Sequence, residues 1–182
     1  GRSKLSRRAE PVLQRMAPAH LLQTQRWLQD EKLRRQIDCL APPAEEENKH
    51  YWEDCWRDTT REDYAILDDS GRHIGNCGLC SIDKKRKKCE IWIYIGTEQG
   101  KGLGSAAVQK LIDRAFDELG LERVYLRVLA TNTVAARFYE KLGFVYEGRW
   151  RGDTILDQDR IDSLWYSMLR NELVAKNRLE KN

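Results

Sequence analysis

The sequence predicts an α/β fold, in which a mixed sheet carries helices on both faces. Two observations support this class. Segments with strand-like alternation of apolar and polar residues recur along the chain, and two helical patterns interrupt the later ones, each of them ending at a glycine. The elements follow the order strands, helix, strand, helix and strands, which is typical of a layered α/β arrangement. We therefore expect a single domain over residues 1–182, with residues 1–10 set apart as disordered or introduced by cloning.

The elements follow in order. About seven strands are expected at residues 12–16, 64–67, 72–82, 89–95, 124–128, 144–155 and 161–169. About four helices are expected at residues 19–30, after Pro42-Pro43 from residue 45, at residues 103–119, and at residues 132–142. The second helix carries the aromatic residues Tyr51, Trp52 and Trp56, which either pack in the core or wall a substrate pocket.

A glycine-rich turn lies between the fourth strand and the third helix. Residues 99–104 read Gln-Gly-Lys-Gly-Leu-Gly, and the apolar residues that follow have helical spacing as far as Gly120. Glycines let backbone N–H groups crowd around an anion at a helix start, where unpaired donors and the helix dipole both favour negative charge. The motif predicts a pyrophosphate site, and a turn that needs only positive φ is the alternative.

A second motif makes this interpretation specific. Residues 132–144 read Asn-Thr-Val-Ala-Ala-Arg-Phe-Tyr-Glu-Lys-Leu-Gly-Phe, a short helix capped by Thr131 or Asn132 and ended by Gly143. Together, Gln-x-x-Gly-x-Gly and Asn-x6-Tyr-Glu-Lys-Leu-Gly-Phe resemble the GNAT superfamily of acyl-CoA-dependent N-acetyltransferases, over residues 64–169. The resemblance implies a GNAT-type sheet, acetyl-CoA as co-substrate, no metal, and direct acetyl transfer to an amine in a ternary complex.

The resemblance also implies site residues. Tyr139 aligns with the tyrosine that protonates the departing CoA thiolate, although packing beside Phe138 is the alternative. Backbone N–H groups in the strand before the glycine turn would polarise the acetyl carbonyl. The implied cofactor-binding residues are Ile93, Tyr94, Ile95, Gln99, Gly100, Lys101, Gly102, Leu103, Gly104, Ser105, Asn132 and Ala135.

Glu90 is the first candidate for the general base. It shares a strand face with Trp92 and Tyr94, whereas Ile91, Ile93 and Ile95 lie on the other face. Cross-strand pairing of its carboxylate is an equal alternative. Three carboxylates near the tip of the last hairpin are better suited to attracting a cation or binding hydroxyls, and these are Asp157, Asp159 and Asp162.

Two cues for the acceptor compete. Residues 88–96, with Trp27, are similar to acetyltransferases that act on nucleotide-linked aminosugars, and Trp52, Trp56 and the basic residues 84–88 would suit base stacking and phosphate binding. Residues 146–149 and 159–163 are similar to the ribosomal-protein and polyamine branch. We expect a small-molecule amine of aminosugar type. A protein N-terminus, a polyamine or an antibiotic is the alternative, as is a non-catalytic acyl-CoA-binding module.

Composition excludes several other classes. The formal net charge is +3, with 32 basic and 29 acidic residues interspersed, so no nucleic-acid partner is expected. The basic residues 84–88 are a solvated hairpin loop or a local anion site. Five cysteines without a regular framework favour a reducing compartment, and no run is apolar enough for a membrane span, so we expect a cytoplasmic protein. Exposed edges of the terminal hairpin suggest a homodimer.

Overall fold

A computed structural model describes residues 10–97, 102–173 and 179. Within them, seven strands form one sheet in the order β1-β2-β3-β4-β5-β7-β6. The strands are β1 (Val12–Arg15), β2 (Glu62–Leu67), β3 (His73–Asp83), β4 (Lys88–Ile95), β5 (Arg123–Leu129), β6 (Val145–Leu156) and β7 (Asp159–Leu169). None of the helices in this described part is both long enough and apolar enough to cross a bilayer.

Five α-helices accompany the sheet in the described residues. They are α1 (Leu21–Trp27), α2 (Glu31–Ile37), α3 (Glu45–Arg57), α4 (Leu103–Asp113) and α5 (Thr133–Lys141). A 3-10 turn, Pro18–His20, leads into α1, and a π-helical turn, Arg114–Glu118, extends α4. The expected sheet of about seven strands is confirmed, and the mixed α/β class with it.

The expected helix over residues 19–30 is shorter in the structure, because α1 ends at Trp27. The carboxylate of Asp30 then accepts a hydrogen bond from the Lys32 backbone N–H at 2.9 Å, which caps a separate helix α2. That helix ends where Asp38 adopts the left-handed conformation, with φ 60°. Sequence analysis missed α2.

Two apolar layers cover the two faces of the sheet. Ile91 on β4 packs with α4 and α5 in the main core, which also holds Tyr139 and Cys77. Trp92, the next residue, packs on the other face with Trp52 of α3. The alternation predicted for β4 is therefore confirmed, and it assigns Glu90 to the face beneath α3.

All strand pairs are antiparallel except β4 with β5. These two strands run parallel and pair only through Lys88, Cys89 and Glu90 of β4, the last of which lies opposite Tyr125. Beyond Glu90 the register ends, while β4 continues to Ile95 in register with β3. The sheet is thus split in its middle, between β4 and β5.

Candidate active site

The split leaves one side of β4 without a strand partner. Over residues 91–95 the strand is paired with β3 alone. Because successive residues of a strand direct their backbone groups to opposite sides, alternate N–H and C=O groups in this stretch face the gap toward β5. Such N–H groups are suited to binding a carbonyl oxygen that enters the gap.

A cavity of about 1470 Å³ lies at the split. Its lining includes residues from both faces of the sheet, with Glu90 and Trp92 from one face and Phe138 and Tyr139 from the other. Helices α2 and α3 supply further lining, as does the β6–β7 hairpin. Lining residues from these elements, from β5 and from the start of α5 include Lys32, Arg35, Tyr51, Arg127, Asn132 and Asp159.

Tyr139 is held at the cavity by α5. Asn132 caps this helix, with its side-chain oxygen accepting the Ala135 N–H at 3.2 Å, so the predicted cap is confirmed at Asn132. The Tyr139 side chain is 8% exposed and packs edge-on against Phe138 and Phe144, with ring centroids 5.1 and 5.7 Å away. Burial raises its pKa, so the phenol stays protonated and can serve as a proton donor.

Glu90 lies at the last paired position before the split. Its Oε2 lies 3.5 Å from the Cys80 thiol, which donates to it across the β3–β4 pair. Burial, and secondarily the Glu90 charge, raise the pKa of Cys80 to about 12, so the thiol remains neutral. Among the described residues Glu90 has no ion-pair partner, which leaves its carboxylate available to the cavity.

The start of α4 carries the part of the glycine motif that the structure describes. Gly102 caps the helix with φ 71°, and the Ser105 hydroxyl donates to the Gly102 carbonyl at 2.9 Å. Leu103 is 2% exposed and belongs to the core, so only its backbone can contact a ligand. A Cβ at Gly104 would have no neighbour nearer than 3.8 Å. Gln99, Gly100 and Lys101 lie outside the described residues.

Residues 93–95 belong to the lining of the cavity. Ile93 and Ile95 are partly buried against the main core. The Tyr94 hydroxyl accepts a hydrogen bond at 2.7 Å from the buried Asn76 amide, which also donates to the Thr24 hydroxyl at 2.9 Å.

The aromatic residues of the second predicted helix, which is α3 in the structure, do not all lie at the cavity. Tyr51 and Trp52 line the cavity, and Trp92 joins them because Gly78 leaves space for its indole. A Cβ at Gly78 would come within 2.8 Å of the Trp92 Nε1 atom and 2.5 Å of a β2 carbonyl. Trp56 is exposed and does not belong to the lining as described.

The cues for a nucleotide-linked sugar meet only in part at this site. Trp27 packs over Gly96, where a Cβ would come within 2.2 Å of the indole, and lies edge-on to His73. The basic residues 84–87 form the exposed turn between β3 and β4. Trp52 and residues 90–95 line the cavity, whereas Trp27 and the basic turn do not belong to the lining as described.

Sequence reasoning missed the basic side chains of the cavity. Each arginine of the lining is ion-paired with a carboxylate, and all of these pairs except Arg61–Asp63 join distant segments. The pairs are Arg35 with Asp157, Arg61 with Asp63, and Arg127 with both Asp38 and Asp153. Residues 38 and 127 belong to α2 and β5, so no local pattern in the sequence could have indicated their contact.

The remaining charges of the lining are mostly acidic. Within the described residues, Glu47, Glu90 and Asp159 form no ion pair. Lys32 is the one cation of the described lining that also forms none. Since the arginines are already neutralised, three carboxylates face a single unpaired ammonium. The described lining therefore has more unpaired negative than positive charge, which favours a cationic guest.

Comparison with known proteins identifies the family of this fold. Residues 12–145 match the model of the acetyltransferase (GNAT) domain. A Bacillus subtilis protein with the provisional name ribosomal N-acetyltransferase is 33% identical over 122 residues, 66% of each chain. A spermidine N(1)-acetyltransferase of Vibrio cholerae is 32% identical over 102 residues, 56% of each chain. The chain thus spans less than two thirds of the length of either relative.

A solved structure has the same fold. Spermidine N-acetyltransferase from Vibrio cholerae, in complex with CoA and spermine, superposes with a TM-score of 0.84 at 22% identity, covering 90% of this chain and 98% of that one. At this identity the likeness concerns the fold. None of these three proteins is named for an aminosugar, so the expected aminosugar acceptor has no support from them.

Proposed function

Because the chain belongs to the GNAT acetyltransferase family, we propose that it transfers an acetyl group from acetyl-CoA to a primary amine of a cationic small molecule. The observation that carries this proposal is the cavity at the β4–β5 split, which Glu90 and Tyr139 line from opposite faces of the sheet. Two substrates can approach such a cavity from different faces and meet in the gap. Direct attack without a covalent enzyme intermediate follows from that geometry.

The residues present fit acetyl-CoA. Backbone N–H groups at the start of α4 would hold the pyrophosphate, and the absence of a side chain at Gly104 leaves room for it. The amide nitrogen of Asn132 remains for the pantetheine arm, since its oxygen caps α5. When bound, acetyl-CoA supplies the thioester. Backbone N–H groups of residues 91–95 are in position to bind the acetyl oxygen.

Glu90 and Tyr139 would divide the proton transfers. Glu90, directly or through a water molecule, accepts the proton that the ammonium of the acceptor must lose before its nitrogen can attack the acetyl carbon. As the amide bond forms and the C–S bond breaks, Tyr139 donates its phenolic proton to the sulfur. The nitrogen gives up its second proton to restore the phenol, directly or through water, and Glu90 releases its proton to solvent. The raised pKa of Tyr139 keeps the phenol protonated until the thiolate develops beside it.

The charge of the lining supports a polyamine-type acceptor. Glu47, Glu90 and Asp159 give the acceptor side more unpaired negative than positive charge. A polyamine carries several ammonium groups, and the relative from Vibrio cholerae is named for spermidine. A nucleotide-linked sugar would instead bring phosphate charge toward these carboxylates, which costs free energy.

The test is thiol release from acetyl-CoA, measured with a chromogenic thiol reagent against spermidine, spermine, nucleotide-linked aminosugars, aminoglycosides and peptides with free N-termini. Turnover with the polyamines alone is the expected result. Selective turnover of a peptide or a nucleotide-linked sugar would overturn the acceptor class and leave the acetyl transfer intact. No turnover at all, together with a rise in melting temperature on adding acetyl-CoA, would identify an acyl-CoA-binding module instead.

A further inference from the structure

Helix α2 closes one side of the cavity. Four of its residues, Lys32, Arg35, Gln36 and Ile37, line the space, as does the capping residue Asp38. Beside them, β5 and the β6–β7 hairpin continue the lining through Arg127, Leu156 and Asp159. A seven-residue helix is marginal by itself, so its position depends on tertiary contacts.

Asp38 makes the contacts that join the end of α2 to β5 and β6. Its carboxylate accepts a hydrogen bond from Arg127 Nη2 of β5 at 3.1 Å and another from the Thr154 hydroxyl of β6 at 2.7 Å. The side chain is 15% exposed. Arg35, one turn earlier, forms a second ion pair, with Asp157 in the turn between β6 and β7. The latter pair is more exposed and contributes less.

Asp38 also determines the charge state of the wall. Arg127 Nη1 contacts Asp153 at 3.1 Å, and that carboxylate accepts a bond from the Ser163 hydroxyl at 2.6 Å. Arg127 is thus neutralised between two carboxylates, one from α2 and one from β6. Without Asp38, its guanidinium would have one partner fewer and would present more positive charge to the cavity.

We infer that Asp38 is a positioning residue for the acceptor: it fixes α2 over the acceptor side of the cavity and keeps Arg127 from repelling a cationic substrate. The inference deepens the proposed function and rests on it for its kinetic consequence. Its structural consequence, the anchoring of α2, can be measured without any substrate.

The left-handed backbone of Asp38 allows a clean set of variants. Asp38→Gly removes the carboxylate while suiting φ 60°, so any effect comes from the lost side chain and not from backbone strain. Asp38→Asn keeps an oxygen for Thr154 and removes the charge together with the acceptor for Arg127. Arg123→Met is the matched control, because it breaks the ion pair between Arg123 of β5 and Glu147 of β6. Neither of these two residues belongs to the lining as described.

The first measurement is hydrogen exchange of the backbone amides of α2 in the free protein. Asp38→Gly should speed exchange over residues 31–38 by at least tenfold, roughly the effect of losing 1.4 kcal/mol of local stability, while Arg123→Met leaves this segment unchanged. Unchanged exchange in Asp38→Gly would refute the anchoring of α2, whatever the enzyme acetylates.

The second measurement separates charge from position. In Asp38→Asn the KM for spermine should rise roughly tenfold, with a smaller rise for a monoamine and no change in the KM for acetyl-CoA. Equal rises for both amines would contradict the charge effect. If the parent enzyme acetylates no amine, the proposed function fails, and the exchange experiment still decides whether Asp38 anchors α2.

Discussion

Glu90 and Tyr139 belong to opposite faces of the sheet and line the same cavity. Glu90 lies on the face of β4 covered by α3. Tyr139 is a residue of α5 and packs in the main core on the other face. A continuous sheet would separate them. They share a cavity because β4 and β5 cease to pair after Glu90 and Tyr125. The split would therefore allow the proposed base and the proposed acid to act on one reaction from two sides.

Tyr139→Phe should lower kcat by about 10² to 10⁴, the usual contribution of a positioned general acid. The affinity for acetyl-CoA should change little, because the ring and its packing remain. Single-turnover kinetics and calorimetric titration with acetyl-CoA measure the two quantities.

Tyr146→Phe is the control, since Tyr146 is 49% exposed on β6 and does not belong to the cavity lining as described. If Tyr139→Phe retained the parent kcat in single-turnover experiments, Tyr139 would be a packing residue and not the acid.

Glu90→Gln should lower kcat/KM at neutral pH by about 10² to 10⁴, because the ammonium of the acceptor would lose its proton acceptor. Activity should recover as the pH rises toward the pKa of the free amine. Glu47→Gln removes another carboxylate of the lining, and there we expect a higher KM for a polyamine with kcat unchanged. A pH–rate profile of both variants provides the comparison, and parallel profiles would exclude Glu90 as the base.

Gly78→Ala should destabilise the protein by about 1 to 3 kcal/mol, as overpacking does. The new Cβ would lie 2.5 Å from the Glu62 carbonyl oxygen and 2.8 Å from the Trp92 indole nitrogen, so β2 or the cavity wall must shift. Gly148→Ala on β6 is the control, because no atom lies within 4 Å of its Cβ position. Urea denaturation measures the difference, and equal stability of the two variants would contradict the close packing.

Stability should fall between pH 7.5 and pH 5.5 because of two neighbouring histidines. Burial lowers the pKa of both His20 and His73, whose rings lie 5.2 Å apart, and the charge of His73 lowers the pKa of His20 further. The folded state thus binds fewer protons than the unfolded state. Their contribution is complete above the unfolded pKa of about 6.5 and is lost as the pH falls below that value and through the lowered pKa of the folded state.

The carboxylates with lowered pKa lose their contribution only below their unfolded values of about 4, so this pH window isolates the histidines. His20→Asn should reduce the difference in unfolding free energy between the two pH values. The same change at His50, an exposed residue of α3, should leave that difference as in the parent. An undiminished pH dependence in His20→Asn would count against the histidine pair.

Local patterns predicted much of this molecule. The two faces of β4 follow from the alternation of Ile91 and Trp92 with their neighbours, and the helix ends follow from Gly120 and Gly143, which adopt positive φ of 68° and 100°. These features depend on residues within a few positions of one another, where backbone geometry alone sets which side chains share a face. The family was recognisable for the same reason, since its motifs are short and local.

The chain itself thus determined the strands, the principal helices, and the candidate roles of Tyr139 and Glu90. Only the tertiary structure decided that β4 and β5 part after Glu90, that α2 is a separate helix, and that Asp38 pairs with Arg127 at the cavity. Each of these depends on contacts between segments far apart in sequence. Periodicity carries no information about such contacts, because packing and ion pairing between distant elements are set by the folded arrangement as a whole.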